Sequence, residues 1–111
     1  MPEVRRPIVR ADVEHAWHLY PIALDLDRLT CDRAQFISEL RAENIGTSVH
    51  FIPIHHHPHF RETLKTGPGA FPVADAAYAR AVTLPLFPRM SEADVDDVCR
   101  AIRKIVAHYR R

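Results

Sequence analysis

The residues best suited to chemistry are concentrated in one stretch, His50-Phe51-Ile52-Pro53-Ile54-His55-His56-His57-Pro58-His59-Phe60. The chain has eight histidines in all, and most of them fall inside this run. Imidazole nitrogens bind zinc, copper or nickel, and near neutral pH they also exchange hydrogen bonds with hydroxyl and phosphate oxygens. The spacing, however, matches no familiar metal motif. On a strand His50 and His55 face opposite sides, and Pro53 and Pro58 prevent a helical His-x3-His pair. No Cys, Asp or Glu lies inside the run, so a metal site would need ligands from distant segments. The plain alternative is a set of loop histidines that take up nickel opportunistically.

The other reactive side chains have simpler readings. Cys31 precedes a helix start, a setting that can lower a thiol pKa, whereas Cys99 sits on an apolar helix face as a small buried group. Two cysteines make no disulfide framework and have no zinc spacing. Asp94, Asp96 and Asp97 resemble a carboxylate cluster, but Asp94 is explained by helix capping and the other two by a solvated face. Ser91 lacks the Gly-x-Ser-x-Gly elbow of a hydrolase nucleophile. Arg5-Arg6 and Arg110-Arg111 read as solvated terminal pairs, and Trp17, Tyr20, Phe36 and Phe51 as core aromatics. No self-contained catalytic constellation emerges from the residue types alone.

The elements that must carry these groups follow from periodicity and punctuation. Residues 1–12 are polar and proline-punctuated and read as an extended lead-in. His15 to Leu24 reads as a strand, with Pro21 pointing to an edge or a bulge. Asp32 and Gln35 form a capping-box pair ahead of Phe36, Ile37 and Leu40 at helical spacing, and Asn44-Ile45-Gly46 stops that helix. Thr47 to Ile54 alternates and is rich in β-formers, which predicts a second strand. Residues 55–70 hold the histidines and a Gly-Pro-Gly turn. Pro72 to Val82 reads as an alanine-rich helix and Thr83 to Phe87 as a short strand. Ser91 caps the last helix, whose apolar face is Val95, Val98, Cys99, Ile102, Ile105, Val106 and Tyr109. The order predicts an α+β fold, a small sheet of about three strands with helices packed on one face.

A chain of 111 residues accommodates one domain. Its formal charge of +1 argues against nucleic acid or an anionic membrane as partner. The first residues lack the apolar core of a secretory leader and no run reaches membrane-spanning length, which predicts a cytoplasmic protein. Only three glycines are present, which leaves little material for phosphate-cradling loops.

Five short motifs occur in a fixed order: His15-Ala16-Trp17-His18-Leu19-Tyr20, Arg33-Ala34-Gln35-Phe36, Gly46-Thr47-Ser48-Val49-His50-Phe51-Ile52-Pro53-Ile54-His55, Phe71-Pro72-Val73-Ala74, and Leu84-Pro85-Leu86-Phe87-Pro88-Arg89-Met90-Ser91. In that order they resemble the C-terminal small domain of the DegT/DnrJ/StrS family of aminotransferases, over nearly the whole chain from His15 onward. The resemblance implies a lead-in over residues 1–14 and a small domain over 15–111, of the kind found at the C-terminus of fold-type I aminotransferases. It implies an enzyme family that uses pyridoxal phosphate and aminates nucleotide-linked keto-sugars. In that family a preceding large domain carries the Schiff-base lysine, the aspartate on the pyridine nitrogen and the phosphate-binding residues.

Lys65 and Lys104 are the lysines present, and neither has that context. The expectation is therefore a fragment that binds no cofactor and does not transaminate alone. What the resemblance carries onto this chain is one wall of the substrate cleft. His55 is the leading substrate-binding candidate, with His50 and Phe51 as neighbours, and Pro53 stiffens the approach to it. His59 stands where the family usually has an aromatic residue. The partners implied are the large domain, a nucleotide-sugar substrate in the full enzyme, and self-association where the docking face is bare. The alternative is a small histidine-rich metal-binding or protein-interaction module built on His50, His55, His56, His57 and His59.

Overall fold

A computed structural model describes all residues, 1–111. Three antiparallel strands, β1 (Val4–Arg5), β2 (Tyr20–Leu24) and β3 (Ala81–Leu84), pair in the order β1-β2-β3. Val4 lies opposite Leu24, and Tyr20, Ile22 and Ala23 lie opposite Leu84, Val82 and Ala81. Partners across an antiparallel pair share a face, so the register puts Val4, Tyr20, Ile22, Leu24, Val82 and Leu84 on one side. That side packs against α1 (Arg33–Ala42) and the last helix, α4 (Glu92–Tyr109). Phe36 and Leu40 from α1 and Val98, Ala101, Ile102, Ile105 and Val106 from α4 complete the core, with Leu29 and Cys31 between the layers. The expected α+β architecture, a small sheet with helices on one face, is what forms.

Pro21 occupies the middle strand without cost to the ladder. Thr83, its partner on β3, exchanges both backbone hydrogen bonds with Ser48 on its other side (2.8 and 3.1 Å). Thr83 and Pro21 are therefore a non-hydrogen-bonded pair, and β1 extends only to Ala23 on the far side of β2. The missing proline N–H points to open edge.

Several elements differ from the sequence expectation. The strand expected over 47–54 is reduced to the single bridge between Ser48 and Thr83. β3 is only four residues long, with a helix running directly into it and Pro85 directly after it, so it offers an outer strand little to pair with. The third strand comes instead from Val4–Arg5, inside the segment read as a lead-in. Strand structure in 15–24 is confined to Tyr20–Leu24, and Trp17 adopts a positive φ of 48°. Trp17 and Phe51 are exposed, leaving Phe36 as the buried aromatic of the four expected in the core. Residues 55–70 are not all loop. A 3-10 turn, Ile54–His56, leads into α2 (Pro58–Leu64), which is followed by α3 (Pro72–Arg80). α2 has no buried residue, so it leaves no apolar periodicity to read.

The helix ends also refine the expectation. Asp32 accepts the Gln35 N–H (2.8 Å), but the Gln35 amide turns to Glu39 (2.7 Å), so only half of the capping box exists. At the other end of α1 it is Asn44, with φ 62°, that takes the left-handed position rather than Gly46. The Ile45 N–H bonds to the Leu40 carbonyl (2.8 Å) and the Asn44 N–H to that of Arg41 (2.9 Å), a Schellman closure that folds Ile45 back onto the core. Ser91 and Asp94 make the full reciprocal box at the start of α4. Val95, in the first turn of α4, lies outside the buried stripe.

Three of the four terminal arginines are engaged, and Arg6 is exposed as expected. Arg110 meets buried Glu3 at 2.6 Å, Arg5 meets Asp25 at 2.9 Å, and Arg111 Nε donates to the Leu29 carbonyl (2.9 Å). Burial opposes ionisation of Glu3, but its own backbone N–H and Arg110 outweigh that and hold its carboxyl below the usual range. Burial pushes the Cys31 thiol up, the reverse of the activation its place before a helix suggested.

Burial is unevenly distributed. Between residues 41 and 81 a single residue, His55, is buried. The radius of gyration is 15.8 Å, against about 13 Å for a compact domain of this length. One half of the molecule has a core, and the histidine-bearing half has almost none.

Candidate functional site

The histidine-bearing half is organised around Asp75, in the first turn of α3. With the ring protons on Nε2, His55 and His56 both donate to Asp75 Oδ1, at 2.7 and 2.6 Å. The Gly69 N–H donates to Oδ2 at 2.6 Å. The Gly69 N–H is the largest influence on this carboxyl and, with the two histidines, holds it below the usual carboxylate range against the opposing effect of burial. Pro53 leads into the 3-10 turn that presents His55 and His56 side by side, their rings nearly perpendicular (83°) at 4.5 Å between centroids.

Aromatic contacts extend the cluster in both directions. The Phe71 ring meets His55 edge-on at 4.9 Å, and Tyr78 meets His56 at 6.0 Å. The Arg33 guanidinium lies 4.4 Å over the Tyr78 ring and donates to the Tyr78 carbonyl, which joins this half to α1. His55 is 7% exposed, and its Nδ1 makes no hydrogen bond within the chain yet is not sealed from solvent. That nitrogen is the one free to meet a ligand.

The three candidate residues do not converge on one cavity. His50 lies in a groove of about 410 Å³ with His18, Ser48, Thr83 and Phe87. Its Nδ1 is shared between Thr83 Oγ1 (3.0 Å) and Ser48 Oγ (3.3 Å). Phe51 is 76% exposed, with its ring edge-on to His50 at 4.7 Å. His57 and His59 are exposed and stand outside the Asp75 cluster. A larger groove, about 750 Å³ between the end of α1 and α4, is lined by charges that already pair with one another, Lys104 with Glu43 and Arg100 with Asp97.

Sequence reasoning missed Asp75. Its signal was slight: an acidic residue one turn into a proline-started helix, 20 positions from the histidine it binds.

A model of the DegT/DnrJ/EryC1/StrS aminotransferase family matches residues 1–103. The chain belongs to that family. It is 49% identical over 104 residues to an uncharacterized protein of Methanocaldococcus jannaschii, covering 94% of this chain and 27% of that one. It is 45% identical over 107 residues to the spore coat polysaccharide biosynthesis protein SpsC of Bacillus subtilis, covering 96% of this chain and 28% of SpsC. Its fold superposes on Helicobacter pylori PseC, an aminotransferase involved in the biosynthesis of pseudoaminic acid, with a TM-score of 0.85 at 21% identity, over 97% of this chain and 28% of that structure. The chain thus spans just over a quarter of the length of the curated relatives it matches.

The family's cofactor is pyridoxal phosphate, and the residues of this chain do not compose a site for it. Lys65 is exposed, at a left-handed position just past α2, and Lys104 is committed to Glu43 at 2.6 Å on the surface. Neither lysine stands in an enclosed pocket beside a carboxylate that would take the pyridine nitrogen. No helix is long and apolar enough to cross a membrane.

Proposed function

We propose that this chain is the small-domain part of a pyridoxal-phosphate-dependent nucleotide-sugar aminotransferase, with 15–111 forming the domain and the lead-in 1–14 lending it Val4–Arg5 as an edge strand. It supplies one wall of the substrate cleft and does not transaminate alone. The observation that carries this reading is the combination of family membership with a span of about a quarter of the relatives. The absence of a suitably placed lysine supports the same reading, because site-specific, saturating capture of the cofactor is favoured by an enclosed amine, and both lysines are on the surface. On this wall His55 Nδ1 accepts a hydrogen bond from a sugar hydroxyl while Asp75 fixes its ring through Nε2, and His50 and Phe51 flank the approach.

The test is to incubate the isolated chain with pyridoxal phosphate, reduce with borohydride and map the modified lysines. Sparse, non-saturating labelling of Lys65 and Lys104 is the expected result. A stoichiometric adduct at one lysine, with amino transfer, would falsify the proposal.

The exposed apolar residues of the histidine-bearing half support a docking role. Phe51, Ile52, Ile54, Leu64, Phe71 and Val73 are all exposed, Val73 at 84%. A large domain would cover them, and without one a second copy can. The isolated chain is therefore expected to self-associate at high concentration, and Phe51→Ser with Val73→Ser to weaken that association. Sedimentation showing a monomer at every concentration would count against this surface.

A further inference from the structure

The Asp75 cluster has a property that goes beyond any role in the cleft. We propose that His55 Nε2, His56 Nε2 and Asp75 Oδ1 bind one divalent transition-metal ion, zinc above all, and that the ion fastens the 54–80 segment together. The three atoms lie within 4.8 Å of one another, and the carboxylate oxygen is already central to the two ring nitrogens.

Two imidazoles and one carboxylate are a donor set for zinc and its neighbours rather than for magnesium or calcium, which prefer oxygen ligands alone. Zinc with bonds of about 2.0–2.1 Å holds its ligands roughly 3.3 Å apart. The 2.6 and 2.7 Å contacts must then lengthen by roughly 0.6–0.7 Å to admit the ion. That shift lies within reach of an aspartate in the first turn of a helix. No net proton need leave: each neutral ring moves its proton to Nδ1 and coordinates through Nε2, and Asp75 is already ionised. The support that an ion needs from its surroundings is in place. Gly69 N–H orients Asp75 through Oδ2, Phe71 packs on His55, and Tyr78 packs on His56. The fourth position is left to water or to a ligand.

The second argument is energetic. α2 and α3 bury no residue of their own, and the only buried residue from 41 to 81 is one of the three ligands. In the chain by itself, where no large domain covers it, a lobe without an apolar core needs cross-links of another kind, and small coreless units are commonly held by a metal.

The experiment uses the full 111-residue chain, prepared without a metal-affinity tag and stripped with a chelator. Zinc is titrated against a chromophoric chelator, and cobalt is added separately as a spectroscopic probe. The expected results are one ion per chain, visible cobalt bands of a four-coordinate site, and a higher Tm with zinc. His56→Gln and Asp75→Asn should each weaken binding by about tenfold or more, with the helical signal of α4 retained by circular dichroism. His57→Ala with His59→Ala should leave affinity unchanged. The proposal is overturned if zinc does not bind at micromolar concentration, if His56→Gln binds as tightly as the parent chain, or if affinity follows His57 and His59 instead. Any of these would mean that the cluster is hydrogen-bonded only.

Discussion

Replacing Phe36 with alanine is expected to destabilise the chain by about 3–5 kcal/mol, close to the whole stability of a small domain. Phe36 is fully buried, where α1 meets the sheet and α4. The whole core is only twelve residues with Phe36 included, so little can collapse into the cavity left behind. Urea unfolding followed by circular dichroism should show the midpoint falling to the edge of measurability. Phe51→Ala, the same chemical change at an exposed ring, should move it hardly at all. Equal losses from the two substitutions would mean that the core has been placed in the wrong half of the molecule.

The second large effect is local rather than global. Asp75→Ala removes the acceptor of three hydrogen bonds at once, from His55, His56 and Gly69. Arg33 on Tyr78 and the Ser48–Thr83 bridge tie this half to the sheet and α1, but within 54–80 Asp75 is the acceptor that links the 54–56 turn, Gly69 and α3. Amide exchange over 54–80 should accelerate by roughly tenfold or more, while α1, β2 and α4 keep their protection. Acid should mimic the substitution. The Asp75 carboxyl titrates below its ordinary value in the folded chain, chiefly through Gly69 and then through the histidines. Its stabilisation is therefore complete above the unfolded carboxylate value, about 3.9, and is lost as pH falls through the lower folded value. Exchange in 54–80 that stays unchanged on both substitution and acidification would show that Asp75 is not what holds this half.

The contrast between the two halves explains which parts of the molecule were legible in its sequence. α1 and α4 announce themselves because each buries a stripe at helical spacing and starts from a residue with a capping oxygen, Asp32 and Ser91. The sheet was partly hidden. Val4–Arg5 is too short to show alternation, and the alternation of 47–54 finds only Thr83 to pair with. α2 was invisible because nothing in it is buried. His55 stood out by its place in a motif, but its partner Asp75 did not, because a contact across 20 residues leaves no local pattern. The terminal arginines looked idle for the same reason. Glu3 and Asp25, which they bind, are distant in sequence and adjacent only once the sheet has formed.

Family membership gives both halves one logic. The cored half is closed by contacts between its own helices and sheet, and under the proposed function the exposed half offers His55, held by Asp75, and its apolar side chains to a large domain. The most direct measurement is a graft: residues 1–111 replace the matching segment of Bacillus subtilis SpsC, which is 45% identical to them. The account predicts a soluble, monodisperse chimera whose uptake of pyridoxal phosphate equals that measured for intact SpsC alongside it, while the isolated 111-residue chain takes up none stoichiometrically. A chimera that aggregates or stays free of cofactor while intact SpsC loads normally would contradict it.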